Sequence, residues 1–164
     1  MTGKGEKKDE RKNLRTLGMT LGGMLLLVVM LTGPALAEFK VDEKKGVVVD
    51  TATGLMWQRQ TGNDNEALTW AQAVAYCKKL DLAGYDDWRL PSSDELQSII
   101  NYLSYDPAVD PRVFPDTASS GYWSSTTYEA NSGYAWRIDF YYIGYVNISN
   151  KANHYYVRAV RSLP

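Results

Sequence analysis

Beyond residue 38 the spacing of apolar positions switches between a period of two and a period near 3.6, and each switch predicts an element. GVVVD, residues 46–50, is β-branched and bounded by the turn-rich Asp50-Thr51-Ala52-Thr53-Gly54, after which Leu55-Met56-Trp57-Gln58-Arg59 resumes an extended pattern. This predicts a β-hairpin closed by a glycine-containing loop. In LTWAQAVAYCKKL the residues Trp70, Ala73, Val74, Cys77 and Leu80 fall on one helical face, and Thr69 with Gln72 forms a capping box. Ser92 and Glu95 form a second capping box, and Leu96, Ile99, Ile100 and Leu103 continue it at helical spacing. Asp94 and Glu95 occupy the first turn of that helix, where its dipole favours acids.

Residues 106–121 carry Pro107, Pro111 and Pro115 with little periodicity, which predicts a surface loop. From Tyr122 to Arg161 the pattern becomes short and alternating: YWSST, YAWRIDFY, YVNIS and YYVRAVR, separated by turn residues. In the second segment Tyr134, Trp136, Ile138 and Phe140 alternate with Ala135, Arg137, Asp139 and Tyr141. Four such segments predict an antiparallel C-terminal β-meander, with no fixed repeat period.

Residues 1–37 read as a leader: Lys4, Lys7, Lys8, Arg11, Lys12 and Arg15 precede the apolar run from Met19, and Ala35-Leu36-Ala37 is an A-x-A cleavage site. The expected layout is a signal peptide over 1–37 and one domain over 38–164. The alternative is a retained membrane anchor, because Met19 to Leu36 approaches the ~18 residues that span a bilayer. Export implies a periplasmic or extracellular protein with no membrane contact after cleavage. Residues 38–164 hold 12 Lys and Arg against 16 Asp and Glu, a net charge of −4, so a nucleic-acid partner is not expected.

One cysteine and one histidine, Cys77 and His154, remove an intramolecular disulfide, dithiol chemistry, a Ser-His-Asp or Cys-His centre and multi-histidine zinc sites from consideration. Cys77 is read as a packing residue. Two of the acids Asp86, Asp87, Asp94 and Glu95 are accounted for by helix capping, and Arg89 is read as a structural side chain that satisfies carbonyls or a carboxylate. No catalytic residue, metal ligand or cofactor is assigned.

The segments VVVDTATGLMWQR, LTWAQAVAYCKKLDLAGYDDWRLPSSDELQSII, YWSST, AWRIDF and YYVRAVR, in this order, resemble the Lcl C-terminal domain, the non-collagenous end of the Legionella collagen-like protein. The resemblance covers residues 46–162. It implies an α+β fold of C-type-lectin-like kind related to the formylglycine-generating enzymes, with two helices on a twisted, mainly antiparallel sheet and termini close together. The best-described member binds sulfated glycans and assembles through a collagen region. This chain has no Gly-x-y repeat, so that route to trimers does not carry over. The paired cysteines of the formylglycine-generating enzymes and the Glu-Pro-Asn and Trp-Asn-Asp calcium signatures of lectins are also absent.

Eight of the 12 tyrosines lie between Tyr122 and Arg161, together with Asn131, Asn147, Asn150 and Asn153. Tyrosine offers a broad apolar face with a polar tip at small rotamer cost, and asparagine offers adaptable hydrogen bonds. The expected function is therefore an adhesin- or lectin-like module that binds a glycan or a cell-surface protein. Its candidate ligand-binding residues are Arg137, Tyr141, Tyr142, Tyr145, Asn147, Asn150, Asn153 and Tyr155, with Arg158 and Arg161 as further partners for an anionic group. The alternatives are a hydrolase or lyase using two of Asp86, Asp87, Asp110, Asp116 and Asp139, and a structural subunit of an envelope assembly. The oligomeric state is left open.

Overall fold

The predicted hairpin forms as β2 (Val47–Asp50) and β3 (Leu55–Gln58), antiparallel, with Val48 opposite Trp57. Asp50 Oδ1 accepts the N–H groups of Ala52 and Thr53 at 3.0 and 3.3 Å, which organises the turn, and Gly54 closes it at φ +70°. The computed structural model describes residues 39–164, and the predicted leader lies outside the described residues. β1 (Phe39–Asp42) adds to the outer side of β2, and β7 (Val160–Ser162) adds to β3, giving the order β1-β2-β3-β7. The first and last described strands thus share one sheet.

α1 (Trp70–Lys79) starts at the predicted capping box, with Thr69 and Gln72 bonded in both directions, and buries Ala73 and Cys77. Burial pushes the Cys77 thiol up to about 12, so it stays protonated at neutral pH and acts as a small hydrophobe. α2 (Ser93–Ser98) also starts at its predicted box but stops short of the predicted end, and Leu103 is 98 % exposed rather than on a core face. The local chemistry explains the early stop. Ser98 Oγ donates back to the Glu95 carbonyl at 2.7 Å, Ile99 and Ile100 donate to carbonyls three residues earlier, and Asn101 Oδ1 accepts the Leu103 N–H at 3.0 Å.

The aromatic third forms a second, three-stranded antiparallel sheet of β4 (Gly121–Thr127), β5 (Tyr134–Asp139) and β6 (Tyr145–Asn150), ordered β4-β5-β6. The predicted four-stranded meander is corrected here, because YYVRAVR leaves it. Tyr155 pairs with Leu68, Tyr156 runs beside Tyr122, and Val160 pairs with Trp57 and Arg89. Val157, Arg158, Ala159, Val160 and Arg161 are all buried, so this segment has no solvent face and belongs between the sheets instead of at a meander's edge.

Two apolar clusters result. Val48, Trp57, Leu96, Ile99, Phe114, Tyr122, Ile138 and Val160 belong to one, and Val47, Met56, Ala73, Cys77, Trp88, Leu90, Trp123 and Ala159 to the other. Gly62 sits where a Cβ would come within 2.6 Å of Tyr76 and 2.9 Å of Val157. Gly62→Ala is therefore expected to cost about 1–3 kcal/mol by overpacking, read as a shifted urea midpoint.

WRLPSSDEL is the joint between these layers. Trp88 is buried and donates Nε1 to the Tyr85 carbonyl at 3.0 Å, and the Arg89 backbone exchanges hydrogen bonds with Val160. Both Arg89 terminal nitrogens bind the two Glu95 oxygens at 2.7 Å, while Glu95 Oε2 also accepts the Ser92 N–H at 2.7 Å. The Arg89 hydrogen bonds, followed by those of Ser92, hold the Glu95 carboxyl below its usual range against an opposing burial effect. A depressed carboxylate contributes stability that is present above its ordinary pKa and lost as pH falls through the folded-state value. Thermal stability should thus hold from pH 7 to the usual carboxylate range and fall below it. In Glu95→Gln that acid limb should be shallower, with about 1 kcal/mol lost at neutral pH.

Candidate functional site

The turn between β5 and β6 and the loop after α2 bring exposed aromatic rings together. The Asp106 N–H donates to the Tyr142 carbonyl and the Ala108 N–H to Phe140, so the loop is laid against the turn by its backbone. Tyr105 and Tyr142 meet edge to face at 4.8 Å between ring centroids, and Tyr141 and Tyr142 meet the same way at 4.9 Å. Tyr141, Tyr142, Ile143 and Tyr145 are all exposed, and the loop adds Tyr102 at 70 % and Tyr105 at 60 % exposure. A hydrogen bond with Tyr142, then partial burial, then neighbouring negative charge raise the Tyr105 phenol above its ordinary range.

Tyr142 takes φ +60°, a left-handed conformation that a bulky side chain rarely adopts. Gly144, at φ +84°, closes the turn where a Cβ would press on Ile100 at 3.0 Å. The turn thus holds a tyrosine in a region suited to glycine, which is a mark of functional sites when the surroundings enforce it.

Of the residues singled out by sequence, Tyr141, Tyr142 and Tyr145 belong to this patch. Asn147 is exposed at the middle of β6, opposite Arg137. Asn150 and Asn153 shape the turn after β6: Asn150 Oδ1 accepts the Ala152 N–H at 2.9 Å, and Asn153 Nδ2 donates to Ser149 Oγ at 2.9 Å. Arg137 is engaged by Asp139 at 2.7 Å and lies 4.4 Å over the Tyr155 ring, which in turn packs edge to face on Trp123. Tyr102, Leu103 and Tyr105 were missed by sequence reasoning. The signal was there, because Asn101, Ser104 and Asp106-Pro107 are turn residues that interrupt the helical spacing and expose what lies between them.

The remaining arginines have partners. Arg161 grips Asp87 at 2.6 and 3.1 Å and stacks on Tyr85, which holds the Asp87 carboxyl below its usual range. Arg112 pairs with Asp110 at 2.7 Å, and both Asp116 oxygens accept the Thr61 N–H. Arg59 pairs with Glu43 at 3.1 Å. Arg158 is fully buried and Arg161 is held by Asp87, so neither presents a free cation. Four of the five acids considered for catalysis are thereby held by arginine or by a backbone donor.

Beside the patch lies a mainly apolar groove of about 410 Å³ lined by Phe39, Ile99, Ile100, Leu103 and Phe114 with Ser98, Asn101 and Asp110 among its polar members, and it shares Tyr102 with the patch. Among the described residues no helix is long and apolar enough to cross a membrane. A family model for the Lcl C-terminal domain matches residues 46–161. No curated protein matches the chain.

Proposed function

The chain belongs to the Lcl C-terminal domain family, and from that premise we propose that it is an exported, adhesin-like binding module whose contact surface is the patch of Tyr102, Tyr105, Tyr141, Tyr142 and Tyr145. The observation that carries this reading is the exposure of these five rings, with Tyr142 in edge-to-face contact with both Tyr105 and Tyr141. Sugar rings stack on such faces, and the phenol hydroxyls supply directional hydrogen bonds. The six arginines among the described residues are all engaged, which supports a neutral glycan over a polyanion. A second reading, an apolar protein surface on a cell, is favoured by the adjoining groove, whose lining suits an inserted hydrophobic side chain.

The two short helices and the sheet shared by the first and last strands support a C-type-lectin-like classification of the fold. The basic, apolar and A-x-A segments of residues 1–37 support a periplasmic or extracellular location.

The test is binding of residues 38–164 to a panel of neutral, uronic and sulfated glycans, with calcium and with a chelator. Saturable binding to neutral glycans, unchanged between low and high salt and lost in Tyr105→Ala/Tyr142→Ala, is the expected result. Binding confined to sulfated chains and weakened by salt overturns the neutral-ligand reading. Folded protein that binds no glycan moves the reading to the protein surface, which a cell-binding assay with the same double variant then decides.

A further inference from the structure

Among the described residues β6 lies at the edge of its sheet and pairs only with β5. Its backbone groups divide by the alternation of an antiparallel ladder. Tyr145, Asn147 and Ser149 are in line with Lys151, whose N–H donates to Gly133 on the β5 side. Val146, Ile148 and Asn150 therefore direct their N–H and C=O groups away from β5, to the open edge. Such an edge is a template for another strand, and natural edges are commonly blunted by charge, proline or a bulge. Residues 141–150, YYIGYVNISN, contain no charged residue and no proline. Val146 and Ile148 are 42 % and 40 % exposed.

We propose that this edge is a self-association surface: two copies pair β6 with β6 antiparallel about a two-fold axis at Asn147, joining two three-stranded sheets into one. Asn147 then faces Asn147 of the second copy as a non-hydrogen-bonded pair. Val146 faces Ile148 on each side of the axis, and these residues exchange hydrogen bonds in both directions. The register is selected by what is free. Centring on Ile148 instead sets Val146 against Asn150, whose carbonyl is already taken by the Asn153 N–H at 2.9 Å. The Asn147-centred register uses only open groups and places apolar side chains on apolar side chains on one face, with Tyr145 opposite Ser149 on the other. It is isologous, so it closes at two copies. The exposed apolar side chains of the paired strand itself, Tyr145, Val146 and Ile148, are few beside the ~800 Å² that each partner of a standard interface contributes, so the pairing is reversible and concentration-dependent. Tyr105 and Tyr142 stay outside the paired strand, so the dimer presents two copies of the aromatic patch.

Sedimentation of residues 38–164 over a wide concentration range should show monomer and dimer. Ile148→Lys should abolish the dimer with an unchanged thermal melt and retained single-site glycan binding, and Val146→Lys should do the same. Asn147→Cys should oxidise to a covalent dimer, because a non-hydrogen-bonded pair sets its Cα atoms ~4.5 Å apart, within disulfide reach. Asn150→Cys should not, and buried Cys77 does not compete. A monomer at every concentration, or self-association equally strong in both lysine variants, overturns the proposal whatever the glycan result. Loss of the dimer in the lysine variants without cross-linking of Asn147→Cys overturns the two-fold register.

Discussion

Arg158→Ala is expected to destabilise the domain by about 3–5 kcal/mol, a fall in Tm of roughly 10–20 °C for a domain of this size. The residue stands at the centre of a buried polar network. Nη1 donates to the Arg59 carbonyl at 2.6 Å, and Nη2 donates to Thr61 Oγ1 at 3.2 Å and Thr117 Oγ1 at 3.0 Å. Thr61 Oγ1 is hydrogen-bonded to the Tyr122 hydroxyl at 2.7 Å, which also accepts the Ala118 N–H at 2.9 Å. The guanidinium lies 4.5 Å over Phe114 and 3.7 Å from Asp116. Burial lowers its proton affinity, offset by Tyr122 and Asp116, and arginine's high intrinsic pKa keeps it charged.

Alanine removes both the packing and the donors, leaving a cavity and unpaired acceptors. Arg158→Met should cost clearly less, because the methionine stem refills the volume and the Arg158 Nε finds no acceptor among the described residues. Denaturant titration of the two variants separates the contributions. Equal losses would mean that the hydrogen bonds, and not the filled volume, dominate at this position.

This network also shows where sequence reading stopped. Both capping boxes, the hairpin and the packing role of Cys77 depend on neighbours within a few residues, and each is present as predicted. The role of Arg89 was legible for the same reason, since Glu95 is six residues away. The proline-rich segment lacks regular structure as expected but is no surface loop, because Val109, Val113 and Phe114 are buried in the core, where they meet residues distant in sequence. Arg158 and Arg161 were read as free cations because their partners, Arg59, Thr61, Thr117 and Asp87, are distant in sequence. YYVRAVR alternates well enough to pass as a meander strand, and only burial on both sides reveals its central position. The aromatic site was half legible: one side comes from the tyrosine-rich strands, the other from a loop whose helical spacing concealed three exposed side chains.

Tyr142→Gly is expected to separate binding from folding most sharply. At φ +60° a tyrosine costs about 1–2 kcal/mol relative to a relaxed backbone, and glycine removes that cost. The loss of edge-to-face contacts with Tyr105 and Tyr141 offsets it by about 0.5–1.5 kcal/mol each, so the net change in stability should lie between a gain of about 1 and a loss of about 2 kcal/mol. Ligand affinity should nevertheless fall roughly 30-fold or more, the effect of losing an aromatic side chain at the centre of a contact surface. Arg89→Ala should show the opposite pattern: its pair with Glu95 is partly solvent-exposed, so stability falls by about 1–2 kcal/mol through the lost fork and weakened helix cap, with affinity unchanged. Calorimetric melts beside titration with the glycan from the panel provide both readouts. If Tyr142→Gly lost stability and affinity in proportion, the turn would be a structural element of the sheet. If affinity survived intact, the left-handed tyrosine would have no part in binding and the patch would lose its central residue.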